Sequence, residues 1–565
     1  MHMHRILFVV LLLLPLMGRS QTTLQSLLQA RGETLAATIA ARMPGNGREA
    51  FRAFLESVAE ELKRHGNARD ASRLSRFPDG ADLSNAAWLI HTFALGYYRD
   101  SIIAETARLI RFRTFATDVP NQENPEFERQ KEYLGTLAGS LGLHFRDCDG
   151  FVQEIWIGDG PGSFGMMSHS DVQPVKEGEW SFDPWGGEVV DGTIRGRGAI
   201  DDKGPIVAMM YGMRAILDSG IPVRKKIILL VGTDEESANK DVSTYLANHP
   251  APDQTIVVDS NFPVVCAEKG WCGVWLELPL HSAVPPGKGL VVTRISAGFS
   301  PSIVPATAVA LIAGRETDLR SAADTLRARA ATFMATHPRS RIEIGGTDDT
   351  ISVTTFGKSV HSSVPATGHN ALMDLLVFLD TSVRALPNAY SLLAAFGARY
   401  IGMELDGASL GIRHHDAFMG DVTVAGNMFG TTDTTAQFMF NFRIPRGISH
   451  AKIERALNER YAGFNRAHAV VLKTTRYLSK PLYNDPAMPF VRKLLGIYNG
   501  VTGEHRNAQS IGGGTYAKRI PNAVVFGPAL PDEEYLGHQP DEYIRIGTLE
   551  TNIRILTHTM VMFSR

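Results

Sequence analysis

The chain has 565 residues, with 57 Lys and Arg against 59 Asp and Glu, which gives a formal net charge of −2. This near balance argues against a nucleic-acid-binding protein and against a polybasic membrane binder. Hydrophobic residues make up 44% of the chain and charged residues 21%, so it can bury a large core and is not disordered as a whole.

The first 20 residues are predicted to be a secretory signal peptide. Arg5 precedes an apolar run from Ile6 to Met17, and Gly18-Arg19-Ser20 offers small residues for cleavage after Ser20. The alternative is a membrane anchor, but the run contains Pro15 and is shorter than the roughly 20 residues that span a bilayer. We therefore predict an exported protein, periplasmic or secreted, without a stable membrane anchor after cleavage.

Residues 21–95 are predicted to form an N-terminal helical extension, because apolar residues recur three and four positions apart. From about residue 100 to 275, apolar runs that end in polar residues alternate with helical segments. This rhythm is typical of a parallel sheet covered by helices on both faces. The runs are FGMMSHSD, KKIILLVGTDEES and TIVVDSNFP, with the helical segment GPIVAMMYGMRAILDSG between the first two.

Residues 276–477 are richer in strand patterns, with helices among them, and are predicted to form an inserted α+β domain. The βα rhythm returns over residues 478–565, so the first domain, 96–275, is predicted to be completed by this C-terminal part. The predicted fold class is thus α/β: a mostly parallel-sheet domain with an inserted α+β domain and an N-terminal helical extension.

Histidines and carboxylates follow the predicted strands, and in α/β sheets ligands bind beyond the carboxyl ends of the strands. The three cysteines contain no C-x-x-C pair, so they predict neither a disulfide framework nor a thiolate zinc site. Two imidazoles and three carboxylates can supply two divalent metal ions, with zinc favoured and Mn²⁺ or Co²⁺ also compatible. The five candidate ligands are His169, Asp201, Glu236, Asp259 and His538.

Two metals need a carboxylate with two oxygens to bridge them, and we assign this role to Asp201. In this interpretation, His169 and Asp259 complete one metal, while Glu236 and His538 complete the other.

Glu235 is then free to act as the general base near the metals, because adjacent side chains on an extended backbone point in different directions. Asp171 is predicted to accept the second ring N–H of His169 and so to fix its tautomer.

Each motif alone also has a structural interpretation. An H-x-D sequence at a strand end is usually a turn, and E-E or D-D-K is usually a solvated loop. The GRG and GGG segments fit neither the phosphate-loop nor the dinucleotide pattern and are interpreted as tight turns. The joint occurrence of the motifs at successive strand ends favours the functional interpretation.

The order of the motifs resembles the di-zinc aminoacylase/carboxypeptidase/dipeptidase superfamily, and within it the dipeptidase V-type branch related to Xaa-His dipeptidases and carnosinases. The resemblance runs from about residue 100 to 565 and does not cover residues 1–95. It is carried by SHSDVQPV, GEWSFDPWGGEVVDGTIRGRGAIDDKGP, VGTDEES, VVDSNFPVVCAEKG, GKSVHSSVP, NFRIPRG, IGGGTYAK and GHQPDE.

This resemblance implies the metal ligands, base and partner of His169 that we assigned above, and a cis peptide bond after Asp201. It implies that the inserted domain is a lid whose His361 stabilises the oxyanion, and that Arg443 binds the substrate carboxylate. The GGGTYAK loop, with Gly513, Gly514 and Thr515, would approach the substrate backbone. Without the resemblance, His361 would be interpreted as a surface turn histidine.

Two features bear on specificity and assembly. The branch usually has an Asn where this chain has Ser302, which leaves one substrate contact open. In the family, a short lid accompanies dimers, whereas a doubled lid replaces the missing subunit, so residues 276–477 imply a monomer.

The predicted function is that of an exported metal-dependent dipeptidase that hydrolyses dipeptides or short peptides with water activated by two metals. The alternatives are a carboxypeptidase or N-acyl-amino-acid deacylase of the same superfamily, and a catalytically silent binding protein. Residues 21–95 could in addition be a module that docks a partner.

Overall fold

The computed structural model describes residues 23–79, 81–280, 289–347 and 349–565. The predicted signal peptide, 1–20, lies outside these residues, so export stays a prediction. Within the described ranges, no helix combines the length and the apolar character needed to cross a membrane.

Contacts divide the chain into two compact units. The first unit is Met1–Asp253 with Glu534–Arg565, and the second is Gln254–Glu533. The predicted domain boundaries, after residues 275 and 477, lie inside the second unit and stay a prediction.

The first unit begins with helices and continues as an α/β structure. Its helical segments are Leu24–Leu27, Leu28–Gly32, Glu33–Arg42, Gly47–Arg64, Ala68–Leu74, Leu83–Ile110, Asn121–Glu123, Pro125–Ser140, Glu177–Glu179, Ala199–Lys203, Gly204–Ser219, Lys240–Asn248 and Ile546–Phe563. Its strands are His144–Cys148, Val152–Ile157, Ser163–His169, Glu188–Val190, Thr193–Arg195, Lys226–Gly232 and Tyr543–Arg545.

The predicted N-terminal helical extension is confirmed, although its last helix, Leu83–Ile110, extends beyond the predicted end at residue 95. Asp82 caps this helix by accepting a hydrogen bond from the backbone N–H of Asn85. Residues 86–95 of this helix are all buried, and the helix packs against Gly204–Ser219 and Ile546–Phe563. The extension therefore shares the core of the first unit.

The central sheet of the first unit carries the strand ends that the sequence analysis identified. The order is His144–Cys148, Val152–Ile157, Lys226–Gly232 and Ser163–His169. The last two strands are parallel, and the outer pairs are antiparallel. Six of the seven residues in each of the two parallel strands are buried, as expected for strands covered on both faces.

The second unit is dominated by strands. Its strands are Gln254–Val257, Ser260–Asn261, Val265–Glu268, Gly270–Pro279, Val291–Ala297, Ile303–Val304, Thr307–Ala313, Arg341–Thr347, Thr350–Phe356, Val360–His361, His415–Asp416, Gly420–Asp421, Thr423–Thr431, Thr435–Ile444, Lys473–Leu478, Leu482–Tyr483, Gln509–Ile511, Ala523–Val525 and Pro528–Ala529. Its helical segments are Glu316–Thr336, Pro365–Thr367, Ala371–Ser382, Ala389–Tyr400, His450–His468, Pro489–Thr502 and Tyr516–Lys518.

An eight-stranded antiparallel sheet, with strands from Gly270 to Leu478, forms most of the segment predicted to be inserted. Alternate residues of its strands, such as Phe438, Phe440 and Phe442, pack with apolar residues of the helices in one large core. The predicted α/β class with an α+β insertion is therefore confirmed.

A smaller group of strands in the second unit mixes parallel and antiparallel pairs. Val265–Glu268 pairs in parallel with Gln509–Ile511, and Gln254–Val257 pairs in parallel with Ala523–Val525. These pairs place Glu268 and the segment after Ile511 side by side.

Candidate functional site

The two parallel strands of the first unit bring the predicted motifs together. His169 ends its strand and lies in register with Gly232, the last residue of the neighbouring strand. Glu235 and Glu236 follow Gly232 in the next turn. The expected clustering at the carboxyl ends of these strands is observed.

His169 is completely buried and its ring is held at both nitrogens. Nδ1 lies 2.9 Å from the backbone carbonyl of Asp171, and Nε2 lies 3.0 Å from Oδ1 of Asp201. A carbonyl oxygen only accepts, so Nδ1 carries the proton of the neutral ring. The lone pair of Nε2 therefore points at a carboxylate oxygen.

Asp171 contacts the ring N–H of His169 with its backbone carbonyl rather than with its carboxylate. Its carboxylate lies 3.6 Å from Nδ1 of His169, and the backbone carbonyl accepts the ring N–H instead. The two carboxylate oxygens accept the backbone N–H groups of Glu235 and Glu236, at 3.1 and 3.0 Å. Asp171 thus fixes both the tautomer of His169 and the turn that carries the two glutamates.

Asp201 lies between two histidines. Its Oδ2 lies 3.1 Å from Nε2 of His538 and accepts a hydrogen bond from the hydroxyl of Tyr535 at 2.8 Å. The peptide bond between Asp201 and Asp202 is cis, as the resemblance implied. The backbone N–H of Asp201 donates to the buried carboxylate of Glu542 at 3.2 Å.

Glu236 completes the cluster. Its Oε1 lies 2.9 Å from Nε2 of His538, and its Oε2 accepts from the amide of Gln173 at 2.9 Å. The candidate ligand atoms of His169, Asp201 and Glu236 all lie within 4.8 Å of one another. Four of the five predicted ligands therefore converge in the first unit.

The pKa shifts in the cluster favour positive charge beside its carboxylates. Burial alone would raise the pKa of Asp201, but the adjacent imidazoles of His169 and His538 outweigh it and hold that pKa well below the ordinary value. Burial would lower the pKa of His538, but the carboxylates of Glu236 and Asp201 raise it well above 6.5.

Imidazole lone pairs that face carboxylate oxygens need a cation between them, either a proton or a metal ion. This set of nitrogen and oxygen donors is one that zinc, manganese and cobalt accept. The residues of the cluster are therefore suited to divalent metal.

Glu235, the predicted base, lies beside the cluster. One of its carboxylate oxygens is within 4.8 Å of a ring nitrogen of His169. Its own carbonyl accepts a hydrogen bond from Asn239 at 2.8 Å, which closes the turn. Asp259, the fifth predicted ligand, belongs to the second unit and follows the strand Gln254–Val257.

The predicted substrate-binding residues lie in the second unit. Arg443 is 3% exposed; it donates to the carbonyl of Gly512 at 3.1 Å and to the hydroxyl of Ser362 at 3.3 Å. Its Nε has no hydrogen-bond partner among the described residues. Burial lowers the pKa of Arg443 to about 9, so the site favours an anion beside it.

His361 lies next to Arg443, with its Nε2 at 3.5 Å from Nη2. Its Nδ1 lies 2.7 Å from the hydroxyl of Ser363. The side chain of His361 is exposed, on a short strand that pairs with Ile303–Val304. Ser302 contributes through its backbone carbonyl, which accepts the N–H of Ser362 at 2.8 Å.

The glycine-rich loop follows the strand Gln509–Ile511. A Cβ atom on Gly512 would lie 2.6 Å from that of Ser363, and one on Gly514 would lie 2.5 Å from Nζ of Lys518. On Gly513 it would meet only Ile511, at 3.7 Å. Gly513 is therefore the glycine of this loop with open space beside it, and Thr515 at the end of the loop is buried.

The side chains that hold the predicted residues and were not identified from the sequence include Gln173, Tyr535 and Glu268. Gln173 belongs to the SHSDVQPV motif and Glu268 to VVCAEKG, so the resemblance carried both without assigning them a role. Tyr535 lies in a turn-rich segment without periodicity. The residue that could have indicated this contact is Gly537, because a Cβ atom on it would lie 2.5 Å from the ring of Tyr535.

Comparison with known proteins places the chain in a family. The model of peptidase family M20/M25/M40 matches residues 165–561. Two proteins of Staphylococcus aureus, from strains bovine RF122 / ET3-1 and USA300, are each 29% identical over 454 residues, 79% of this chain and 93% of theirs, and both are named "Putative dipeptidase".

Two solved structures have a similar fold. Human carnosine dipeptidase 1 is 12% identical, with a TM-score of 0.52, over 86% of this chain and 99% of that chain. The di-peptidase Dug1p of Saccharomyces cerevisiae is also 12% identical, with a TM-score of 0.52, over 84% and 98%. Because the family model covers more than half of the chain and the site carries the expected donors, this protein is a metallopeptidase that belongs to peptidase family M20/M25/M40.

Proposed function

We propose that this protein is an exported dipeptidase that uses two divalent metal ions to hydrolyse the peptide bond of dipeptides or similarly short peptides. The observation that carries the proposal is the position of Asp201. Its two carboxylate oxygens face imidazole nitrogens of different histidines, His169 at 3.0 Å and His538 at 3.1 Å. A carboxylate placed in this way is suited to bridging two cations.

We propose the same division of ligands that the sequence analysis predicted. Asp201 would be shared, His169 and Asp259 would hold one ion, and Glu236 and His538 the other. When bound, such metal ions polarise a carbonyl group and lower the pKa of water. Zinc suits the donors, and manganese or cobalt would also be accepted.

Glu235 is the proposed general base. Its backbone N–H is held by Asp171, and its side chain reaches within 4.8 Å of a His169 ring nitrogen. In this position the carboxylate would take a proton from the attacking water and pass it to the amine that leaves. Asp171 would act through the backbone of Glu235 and the tautomer of His169.

Arg443 and His361 are the proposed substrate-binding pair. The unpartnered Nε of a buried guanidinium favours a carboxylate, which a dipeptide carries at its C-terminus. When the hydroxyl of Ser363 donates to Nδ1 of His361, Nε2 carries the proton and can donate to the oxyanion of the transition state. The Gly513–Thr515 segment would contact the substrate backbone.

The names of the Staphylococcus aureus relatives support the choice of dipeptides. The test is a panel of dipeptides and their N-acetylated counterparts, assayed on protein that was stripped of metal and reloaded with Zn²⁺, Mn²⁺ or Co²⁺. We expect hydrolysis of free dipeptides only. Preferential hydrolysis of the N-acetylated compounds would instead indicate a deacylase or a carboxypeptidase.

The assignment of Glu235 is tested by Glu235→Ala. We expect normal metal content and a loss of turnover of at least about 100-fold, the usual contribution of a general base. Full activity in a protein with normal metal content would contradict the assignment.

The proposed export is supported by the apolar run from Ile6 to Met17 and the small residues before Gln21. N-terminal sequencing of protein recovered outside the cytoplasm should begin at Gln21. Recovery of the intact N-terminus only in the cytoplasm would contradict this part of the proposal.

A further inference from the structure

A buried glutamate lies beneath the glycine-rich loop. Glu268 ends the strand Val265–Glu268, is completely buried, and is paired in parallel with Ile511, the residue before Gly512. A buried carboxylate is costly unless it is hydrogen-bonded or ion-paired. Glu268 therefore needs hydrogen-bond partners, and the glycine-rich loop supplies them.

Both oxygens of Glu268 contact the same residue. Oε1 accepts from the hydroxyl of Thr515 at 2.8 Å, and Oε2 accepts from the backbone N–H of Thr515 at 3.2 Å. Hydrogen bonds to a charged group are stronger than neutral ones, and two of them fix the orientation of Thr515. The far end of the loop is thus attached to the strand below it.

Lys518 supplies the balancing charge. Its Nζ lies 4.0 Å from Oε2 of Glu268 and donates to the carbonyl of Lys269 at 2.5 Å and to that of Gly513 at 3.4 Å. Burial raises the pKa of Glu268, and the nearby Lys518 and Thr515 oppose that shift. The ammonium group of Lys518 therefore contacts both the middle of the loop, at Gly513, and the carboxylate of Glu268.

The near end of the loop contacts Arg443, whose Nη1 donates to the carbonyl of Gly512 at 3.1 Å. The Gly512–Thr515 segment thus lies between two buried charges, Glu268 at one end and Arg443 at the other. A change in the loop at Thr515 would move the backbone that Arg443 contacts.

We infer that Glu268 is a positioning residue for substrate binding: its carboxylate holds Thr515 and thereby sets the Gly512–Thr515 loop and the place of the Arg443 guanidinium. Glu268 itself does not touch the substrate. The inference rests on the proposed function, because it assigns the loop and Arg443 to the peptide substrate. Loss of the carboxylate would weaken substrate binding more than it slows the chemical step.

The test compares the full-length protein with Glu268→Gln and Thr515→Val. Steady-state kinetics on L-Ala-L-Ala give KM and kcat, and calorimetry with a reduced-amide analogue of that dipeptide gives Kd without turnover. We expect both KM and Kd to rise by about tenfold, with kcat changed by less than about threefold. Glu268→Asp, which keeps the charge but withdraws the carboxylate from Thr515, carries the test if Glu268→Gln does not fold, because Thr515 itself belongs to the segment proposed to contact the substrate.

The matched control is Glu154→Gln. Glu154 is also buried and accepts from a hydroxyl, that of Tyr245 at 2.7 Å, but it lies outside the proposed site. We expect it to lower the melting temperature and to leave KM and Kd unchanged. The inference is overturned if KM and Kd of Glu268→Gln and Thr515→Val equal those of the wild type, or if Glu154→Gln raises them equally.

A wild-type protein that hydrolyses no dipeptide would instead overturn the proposed function. Calorimetry distinguishes the two failures, because it compares analogue binding by the wild type and the variants without turnover.

Discussion

At the scale of single residues, the candidate metal centre is defined by groups that accept hydrogen bonds. The carbonyl of Asp171 accepts a hydrogen bond from Nδ1–H of His169, so Nε2 faces the carboxylate of Asp201 with a lone pair. His538 meets both Asp201 and Glu236. Cations are needed to neutralise the negative charge of this cluster. The orientation of each ligand depends on neighbouring residues that are not ligands themselves.

Gln173 tests this dependence. Its amide donates to Oε2 of Glu236 and leaves Oε1 directed at His538. We expect Gln173→Leu to weaken metal binding by about tenfold, because groups that orient metal ligands typically contribute 10–100-fold to affinity. Competition with a fluorescent chelator measures the change; unchanged affinity would show that Glu236 needs no support from Gln173.

A substitution at Gly513 tests whether the substrate approaches the glycine-rich loop. A methyl group there meets no backbone atom closer than 4 Å, so Gly513→Ala should fold with a stability within about 0.5 kcal/mol of the wild type. If the substrate backbone approaches this glycine, KM for a dipeptide rises. Gly512→Ala is the comparison: its Cβ would lie 2.6 Å from that of Ser363, so we expect a lower melting temperature. Wild-type KM for Gly513→Ala would exclude a close approach.

The sequence predicted the residue types of the centre because metal chemistry restricts them to histidine and carboxylate. It did not predict which group of Asp171 accepts the hydrogen bond from His169. The backbone carbonyl and the carboxylate are both within reach of the ring, and the backbone conformation decides between them. It also missed Tyr535, whose contact with Asp201 depends on the turn before His538. That turn includes a positive φ of 68° at His538.

At the scale of elements, the parallel strands Ser163–His169 and Lys226–Gly232 explain why the motifs meet. Apolar runs that end in polar residues predicted both strands and the side of the sheet on which their ends lie. The end of the helical extension was harder to predict, because residues 86–95 of the helix Leu83–Ile110 are buried on all sides and give no amphipathic period from which its end could be located.

Two buried histidines join this helix to the C-terminal helix Ile546–Phe563. Nδ1 of His91 lies 3.2 Å from Nδ1 of His558, so one ring donates and the other accepts. Burial, together with the electrostatic effect of His558 and Arg554, lowers the pKa of His91 well below 6.5. Burial lowers that of His558 from 6.5 to about 4.

Stability should therefore fall in acid. Below pH 6.5 the unfolded chain binds protons at both histidines and the folded chain does not, so the free energy of unfolding decreases as the pH falls from about 6.5 towards 4. For His558 alone the loss amounts to roughly 3 kcal/mol, at about 1.4 kcal/mol per pKa unit.

Urea denaturation of metal-free protein at several pH values measures this loss. The double variant His91→Gln/His558→Gln should show a smaller slope, while the acidic cluster contributes equally to both proteins. Equal slopes would mean that the histidines are not neutral in the folded state.

At the scale of the whole molecule, the resemblance predicts a monomer, because residues 276–477 are long enough to replace the lid of a second subunit. Sedimentation velocity at micromolar concentration should give one species with the mass of a single chain. A tight dimer in which His361→Ala and Glu235→Ala chains restore activity when mixed would contradict this expectation and show that His361 acts on the partner's site.

We propose that peptide hydrolysis by this protein requires two metal ions, which His169, Asp201, Glu236 and His538 help to hold. The most direct measurement follows turnover of a dipeptide while metal-free protein is titrated with Zn²⁺ and the metal bound per chain is determined by mass spectrometry. We expect activity to reach its maximum at two ions per chain for the wild type, and Asp201→Ala to bind fewer than two and to remain inactive. Full activity of metal-free protein, or of Asp201→Ala, would contradict the claim.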